Sequence, residues 1–301
     1  MGYFYNNLIQ QKLISEKLGE SLEKLKPLVS IITVSFNQAV YLRDVLECIK
    51  GQTYENIEHI VIDGGSTDGS VQLLKKYEME YNLRWVSEKD RGPTHGMNKG
   101  LTMAKGEILS ILNADDYYVD SNTVRTAVEA LKSDIDMVYG NCYIVTSNNK
   151  LLRKWIPPDF KLSTYLLSGI SYIPANTVFF KREIIQKIGY LNESYKCAMD
   201  YDFFLRIGMA GFKIRKVPKI WAAWRIHGGN ISIKKQKEQI EESTRIRNRY
   251  LSTYFKNKNI ARLHFLLYKS ENGLRKILQE RISIFDILRI SVRNIRSFIR
   301  F

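Results

Sequence analysis

The chain has 301 residues, 45% of them apolar and 12% aromatic, which is enough to bury a sizeable core and excludes a disordered or fibrous protein. Its formal net charge is +15, and residues 231–301 hold most of the excess, with 17 Lys plus Arg against 6 Asp plus Glu. Three dispersed cysteines, Cys48, Cys142 and Cys197, give neither a disulfide framework nor a metal-ligand spacing and read as reduced thiols of a cytosolic protein.

In chain order, residues 1–27 read as an amphipathic helical segment, with Leu8, Leu18, Leu22 and Leu25 among charged neighbours and Pro27 closing it. No basic-apolar-small leader opens the chain, and no apolar run approaches the ~20 residues that cross a bilayer. The expectation is therefore a cytoplasmic protein, soluble or peripheral on the cytoplasmic face of the inner membrane. From Leu28 onward, β-rich runs at 29–34 and 57–62 alternate with helical patterns at 41–49 and 71–77. Leu42, Val45, Leu46 and Ile49 share one face of the first helix. This alternation predicts parallel strands joined by crossover helices, an α/β fold. The pattern turns mixed after a hairpin turn at Ser147-Asn148-Asn149, and it becomes helical and basic beyond Ile231. The expected division is a segment over 1–27, a main domain over 28–230 with halves 28–120 and 121–230, and a basic helical extension over 231–301.

Open parallel sheets bind ligands beyond the carboxyl ends of their strands, and the residues with chemistry cluster there. Ser35-Phe36-Asn37 ends the first strand, where Phe36 reads either as a ring for stacking a nucleobase or as a plug over the core. Asp63-Gly64-Gly65-Ser66-Thr67-Asp68-Gly69-Ser70 ends the second. Its glycines serve a tight loop and Asp68 or Ser66 caps the next helix. A carboxylate at the tip, Asp63, is more than the loop needs and can accept a uracil imide N–H or a ribose hydroxyl. Beyond a buried strand at 108–112, Asp115 and Asp116 set like charges side by side. Either they lie in a solvated turn, or a divalent cation and a substrate phosphate relieve the repulsion. A G-x-G-x-x-G after the first strand is missing, which argues against a nicotinamide cofactor, and the missing G-x-x-x-x-G-K-[ST] argues against a P-loop.

The segments Val29 to Asn37, Asp63 to Ser70, Ser87 to Gly92 with Met97 to Gly100, and Asn113 to Asp116 resemble, in order and spacing, the family-two inverting glycosyltransferases of GT-A fold, over residues 28 to about 232. The resemblance implies a Rossmann-like, mostly parallel central sheet flanked by helices, a nucleotide-sugar donor of UDP type, and Mn²⁺ or Mg²⁺ as cofactor. It places Val34, Phe36, Asn37, Asp63, Asn98, Lys99 and Asp115 at the nucleotide. It places His95, Arg225 and His227 at the donor or its diphosphate, and Asp116 with Asp115 and His227 at the metal. Asp200 stands where the family's general base stands. Two departures occur: Met199 replaces the Glu that often precedes that base, and His95-Gly96 replaces an Asp-Ala pair beside the donor sugar.

The acceptor implied is a glycan or lipid-linked glycan of bacterial polysaccharide assembly. In the tail, Ile282, Phe285, Leu288, Ile290, Val292, Ile295 and Phe298 recur at near-helical spacing beside arginines. That pattern suits either an anionic membrane surface or a face packed on the main domain. No nucleic-acid module surrounds the arginines, so no nucleic-acid partner is expected. Two rival readings are a nucleotidyltransferase, whose early glycine-rich basic loop residues 33–41 lack, and a silent scaffold of the same fold docked to a membrane assembly.

Overall fold

The structure, a computed structural model, describes residues 26–131 and 134–254. The segment expected at 1–27, apart from its last two residues, and the extension beyond 254 lie outside the described residues. The first half runs β1 (Val29–Ser35), α1 (Ala39–Lys50), β2 (Ile57–Asp63), α2 (Ser70–Tyr77), β3 (Leu83–Ser87), α3 (Pro93–Met103) and β4 (Ile108–Ile111). β1 and β2 are rich in β-branched residues and each is buried at all but one position, as befits strands covered on both faces. Helix α1 buries Leu42, Val45, Leu46 and Ile49, the expected stripe. β2 and β4 both pair in parallel with β1, and β3 pairs in parallel with β2.

The second half runs β5 (Tyr117–Tyr118), α4 (Thr123–Ala130), β6 (Met137–Thr146), β7 (Leu151–Trp155), α5 (Leu162–Ser168), β8 (Val178–Lys181), α6 (Glu183–Ile188), α7 (Met199–Met209), β9 (Ile214–Ile226), α8 (Ile231–Lys234) and α9 (Gln236–Tyr254). β6 and β7 form the expected hairpin, with Asn149 left-handed at φ 63°. β8 lies antiparallel between β4 and β6 and so welds both halves into one nine-stranded sheet, ordered β3-β2-β1-β4-β8-β6-β9-β5 with β7 beside β6. The sheet is parallel from β3 to β4 and mixed beyond. One core cluster accordingly joins Ile32, Ile62 and Leu101 to Tyr139, Phe180 and Phe203. Among the described residues no helix is long and apolar enough to cross a membrane.

Two features aim the sheet at a site. The chain leaves β1 toward β2 on one side and returns as β4 on the other, so a crevice opens at their carboxyl ends, where strand order reverses. Helix α3 then closes on β1 through glycines. A Cβ on Gly100 would stand 2.3 Å from Ile32 Cγ2, and one on Gly96 would stand 3.1 Å from Val34 Cγ1. Gly100→Ala is therefore expected to destabilise the fold by about 1–3 kcal/mol through overpacking. Urea unfolding should show this as a lower midpoint at unchanged slope, and an unchanged midpoint would contradict the close packing.

Candidate active site

A cleft of about 510 Å³ opens beyond β1 and β4. It is lined by Val34 and Ser35 at the end of β1 and Phe36 just after it, by Asp90 before α3 and Pro93 at its start, by Asn113 to Asp116 after β4, by Asp200 and Phe203 of α7, and by Trp155 and Trp224. Of the residues singled out in the sequence, Val34, Phe36, Asp115, Asp116 and Asp200 meet here.

On the β1–β2 side, Phe36 is 61% exposed, so it is a ring at the cleft wall and not a plug over the core. The missing Cβ of Gly64 makes room for it: a Cβ there would come 3.3 Å from the Phe36 ring and 3.1 Å from Asp90 Oδ2. Asn37, left-handed at φ 52°, laces the two loops together. Its N–H donates to Ser66 Oγ at 2.7 Å, and its Oδ1 accepts the Thr67 N–H at 3.0 Å. Asp63 is fully buried and accepts from the Gly65 and Ser66 N–H groups and from the Ser66 and Ser87 hydroxyls. Three of these bonds fall on Oδ2 and one on Oδ1, so Asp63, expected at the base, shapes the loop under Phe36 and is not among the residues that line the cleft. Asp90 takes the open position. Its Oδ1 accepts the Gly92 N–H at 2.8 Å, and its Oδ2 sits in the notch between Gly64 and Gly96. In the sequence Asp90 was only one member of a longer stretch.

Three further residues expected at the donor stand outside the cleft lining. The Asn98 amide donates to the Leu191 carbonyl at 2.9 Å and accepts the Leu191 N–H at 3.0 Å, which ties α3 to the loop after α6. Lys99 pairs with Glu88. His95 lies near Glu88 and Glu193, whose carboxyls are lowered chiefly by Lys99 and Arg91 respectively, with His95 adding to each. None of the three lines the cleft.

The acidic pair follows β4. Asp116 is 3% exposed, and Oδ1 accepts the Arg225 N–H at 3.2 Å. Burial, then the charge of Asp115, raises its pKa well above the usual carboxylate range. Asp115 Oδ2 accepts from His227 Nε2 at 2.9 Å and from the Asn230 amide at 3.0 Å, and among the described residues Oδ1 has no hydrogen-bond partner. His227 Nδ1 accepts the Gly229 N–H at 3.0 Å, so Nε2 carries the hydrogen that it gives to Asp115. Both ring nitrogens are thereby engaged, and His227, expected at the metal, stands beside Asp115 and steadies it.

Arg225, expected at the diphosphate, is engaged by protein groups behind the acidic pair. It is fully buried between Tyr41 and Tyr117, pairs with Asp44, and donates to Asn149 Oδ1 and the Asp115 carbonyl. It holds the backbone of the acidic pair in place. Two adjacent carboxylates with a spare oxygen, beside the buried and unpartnered Asn113 Oδ1, form a donor set that fits a hard divalent cation. Among the described residues no three or more His, Cys, Asp and Glu side chains are arranged to hold a metal.

Across the cleft, Asp200 lies in the first turn of α7, where the helix dipole favours a carboxylate. Its charge adds to burial in raising the pKa of Tyr165 behind it. Asp202 is instead structural, 1% exposed and bound to Arg206 and the Tyr250 hydroxyl. α7 is buried nearly all round, since Phe204 is enclosed as fully as Phe203, Leu205 and Ile207, while Met209 is half-buried.

Residues 30–189, more than half of the chain, match the model of the glycosyl transferase family 2. An uncharacterized glycosyltransferase of Mycobacterium tuberculosis is 34% identical over 186 residues, covering 61% of this chain and 70% of that one. The UDP-Glc:alpha-D-GlcNAc-diphosphoundecaprenol beta-1,3-glucosyltransferase WfaP of Escherichia coli is 26% identical over 83% of this chain and 95% of that one. In fold the chain resembles S. aureus TarS 1-349 in complex with UDP-GlcNAc, with a TM-score of 0.55 at 22% identity, covering 67% of this chain and 60% of that one. It also resembles the mannosyltransferase PcManGT of Pyrobaculum calidifontis in complex with GDP-Man and Mn²⁺, with a TM-score of 0.56 at 18% identity over 85% and 86%. The chain spans less than two thirds of the TarS structure. Its sheet, its crevice at the strand-order reversal and its matched segment together make it a glycosyltransferase of GT-A fold that belongs to glycosyl transferase family 2.

Proposed function

We propose that the cleft moves a sugar from a uridine diphosphate donor to a hydroxyl of a glycan or lipid-linked glycan, with inversion at the anomeric carbon. The observation that carries this reading is that an exposed ring, a paired acid and a third carboxylate on another element all line one cleft. The base stacks on Phe36, with Asp90 at its edge. Asp115 and Asp116 would hold Mn²⁺ or Mg²⁺, which when bound would neutralise the charge of the departing diphosphate. Asp200 takes the proton of the acceptor hydroxyl as its oxygen bonds to the anomeric carbon and the bond to the diphosphate breaks. Trp155 and Trp224, whose rings stand 5.9 Å apart on the cleft wall, offer apolar faces to acceptor sugar rings.

The named donors of WfaP and of the TarS complex support a UDP-sugar, and the WfaP acceptor supports a lipid-linked glycan. A cytoplasmic-face setting fits that acceptor. Docking on an anionic membrane through the basic tail concerns residues outside those described.

Phe36→Ala tests the nucleotide side. Stacking of a base on an aromatic ring contributes about 1–3 kcal/mol, so calorimetry should show UDP binding weakened by roughly 5- to 150-fold. Because the ring is largely exposed, the melting temperature should not change. Unchanged UDP affinity would place the base elsewhere.

A further inference from the structure

We infer that Glu242 of α9 is a positioning residue for Asp200, an inference that rests on Asp200 being the base. Helix α7 opens just after Ala198, which makes no side-chain cap bond. Three consecutive N–H groups ahead of it, those of Lys196, Cys197 and Ala198, converge instead on one carboxylate supplied from more than forty residues downstream. Glu242 Oε1 accepts from Lys196, and Oε2 accepts from Cys197 and Ala198, each at 2.9 Å.

Glu242 is 2% exposed, so these charge-assisted bonds lie away from competing water. Successive backbone N–H groups around one anion make a nest, and that nest ends two residues before Asp200. Lys196, Cys197 and Asp200 all line the cleft, as does Gln239 one turn before Glu242 on α9. The approach of α9 therefore sets where the chain enters α7, and with it the direction in which Asp200 meets an acceptor hydroxyl. A displacement of about 1 Å at a reacting group can cost 10²-fold in rate.

Glu242→Gln keeps the shape but turns an amide NH₂ toward N–H donors. With UDP-N-acetylglucosamine and UDP-glucose as probes, Mn²⁺ present and water as acceptor, kcat for UDP release should fall at least 10-fold while UDP affinity stays within twofold. Hydrogen exchange at residues 196–198 should quicken. Combined with Asp200→Asn, the variant should add no further loss, because both changes act through one group. Tyr250→Phe, which loosens the same helix pair at Asp202, should leave turnover within twofold. If the Gln variant does not fold, Glu242→Asp, with its carboxylate one methylene short, should show the same pattern more weakly.

Wild-type turnover with Glu242→Gln, unchanged exchange at 196–198, or a loss that simply adds to that of Asp200→Asn would overturn the inference. Wild-type turnover with Asp200→Asn would instead remove the base assignment. The exchange measurement decides the clamp even where neither donor turns over.

Discussion

Asp200→Asn is expected to lower sugar transfer by about 10²–10⁴-fold, the usual contribution of a positioned general base. Donor binding should survive. The amide keeps the shape of the carboxylate and the helix start that Glu242 holds, and the proposed nucleotide contacts lie on the loops after β1, β3 and β4, not on α7. The loss should therefore lie in kcat, with the UDP dissociation constant unchanged. Steady-state rates beside a UDP titration separate the two. Full turnover by the variant would mean that another group takes the proton.

Asp116→Asn should act on the other half of the reaction and carry a second signature. Removing one of two adjacent carboxylates should abolish the Mn²⁺ dependence of UDP binding. It should also stabilise the protein when no metal is present. Burial and Asp115 raise the pKa of Asp116 in the folded state, so folding favours its protonated form. For such a group the stability is complete below the unfolded value of about 3.9 and is lost as pH rises toward the folded pKa. Asn carries no such loss. In EDTA the variant should melt higher than the parent at pH 8, with the gap closing near pH 4, while its metal-dependent binding is gone. This is the usual trade between a strained functional site and stability. Equal melting curves at both pH values, or Mn²⁺-dependent UDP binding that persists, would contradict the role given to Asp116.

The parallel half of the fold was legible in the sequence because its signals are local. β-branched runs, the Leu42-Val45-Leu46-Ile49 stripe and the Asp63 to Ser70 loop each declare themselves within a dozen residues. The mixed half was not, because β8 has only four residues and is placed by partners on both sides, and because β9 pairs with β6 across a long connection. The all-round burial of α7 also blurs its period, so that nothing in the sequence marks Phe204 as buried beside Phe203.

The site divides in the same way. Phe36, Asp115, Asp116 and Asp200 follow a strand end or open a helix, and such positions can be read from a chain. Whether a side chain faces ligand or protein cannot, since that depends on distant partners. Asn98 is answered by Leu191, 93 residues away, and Arg225 by Asp44, 181 residues away. Motif position pointed to Asp63, Asn98, Arg225 and His227, but it could not show the protein partners that hold each of them.

A crystal structure of the protein with UDP and Mn²⁺ tests the central claim most directly. The account predicts uracil against Phe36 with Asp90 at its edge, the diphosphate and ion at Asp115 and Asp116, and the space beyond the β-phosphate open toward Asp200. A nucleotide seated away from Phe36, or one whose diphosphate points away from the wall that carries Asp200, would contradict it.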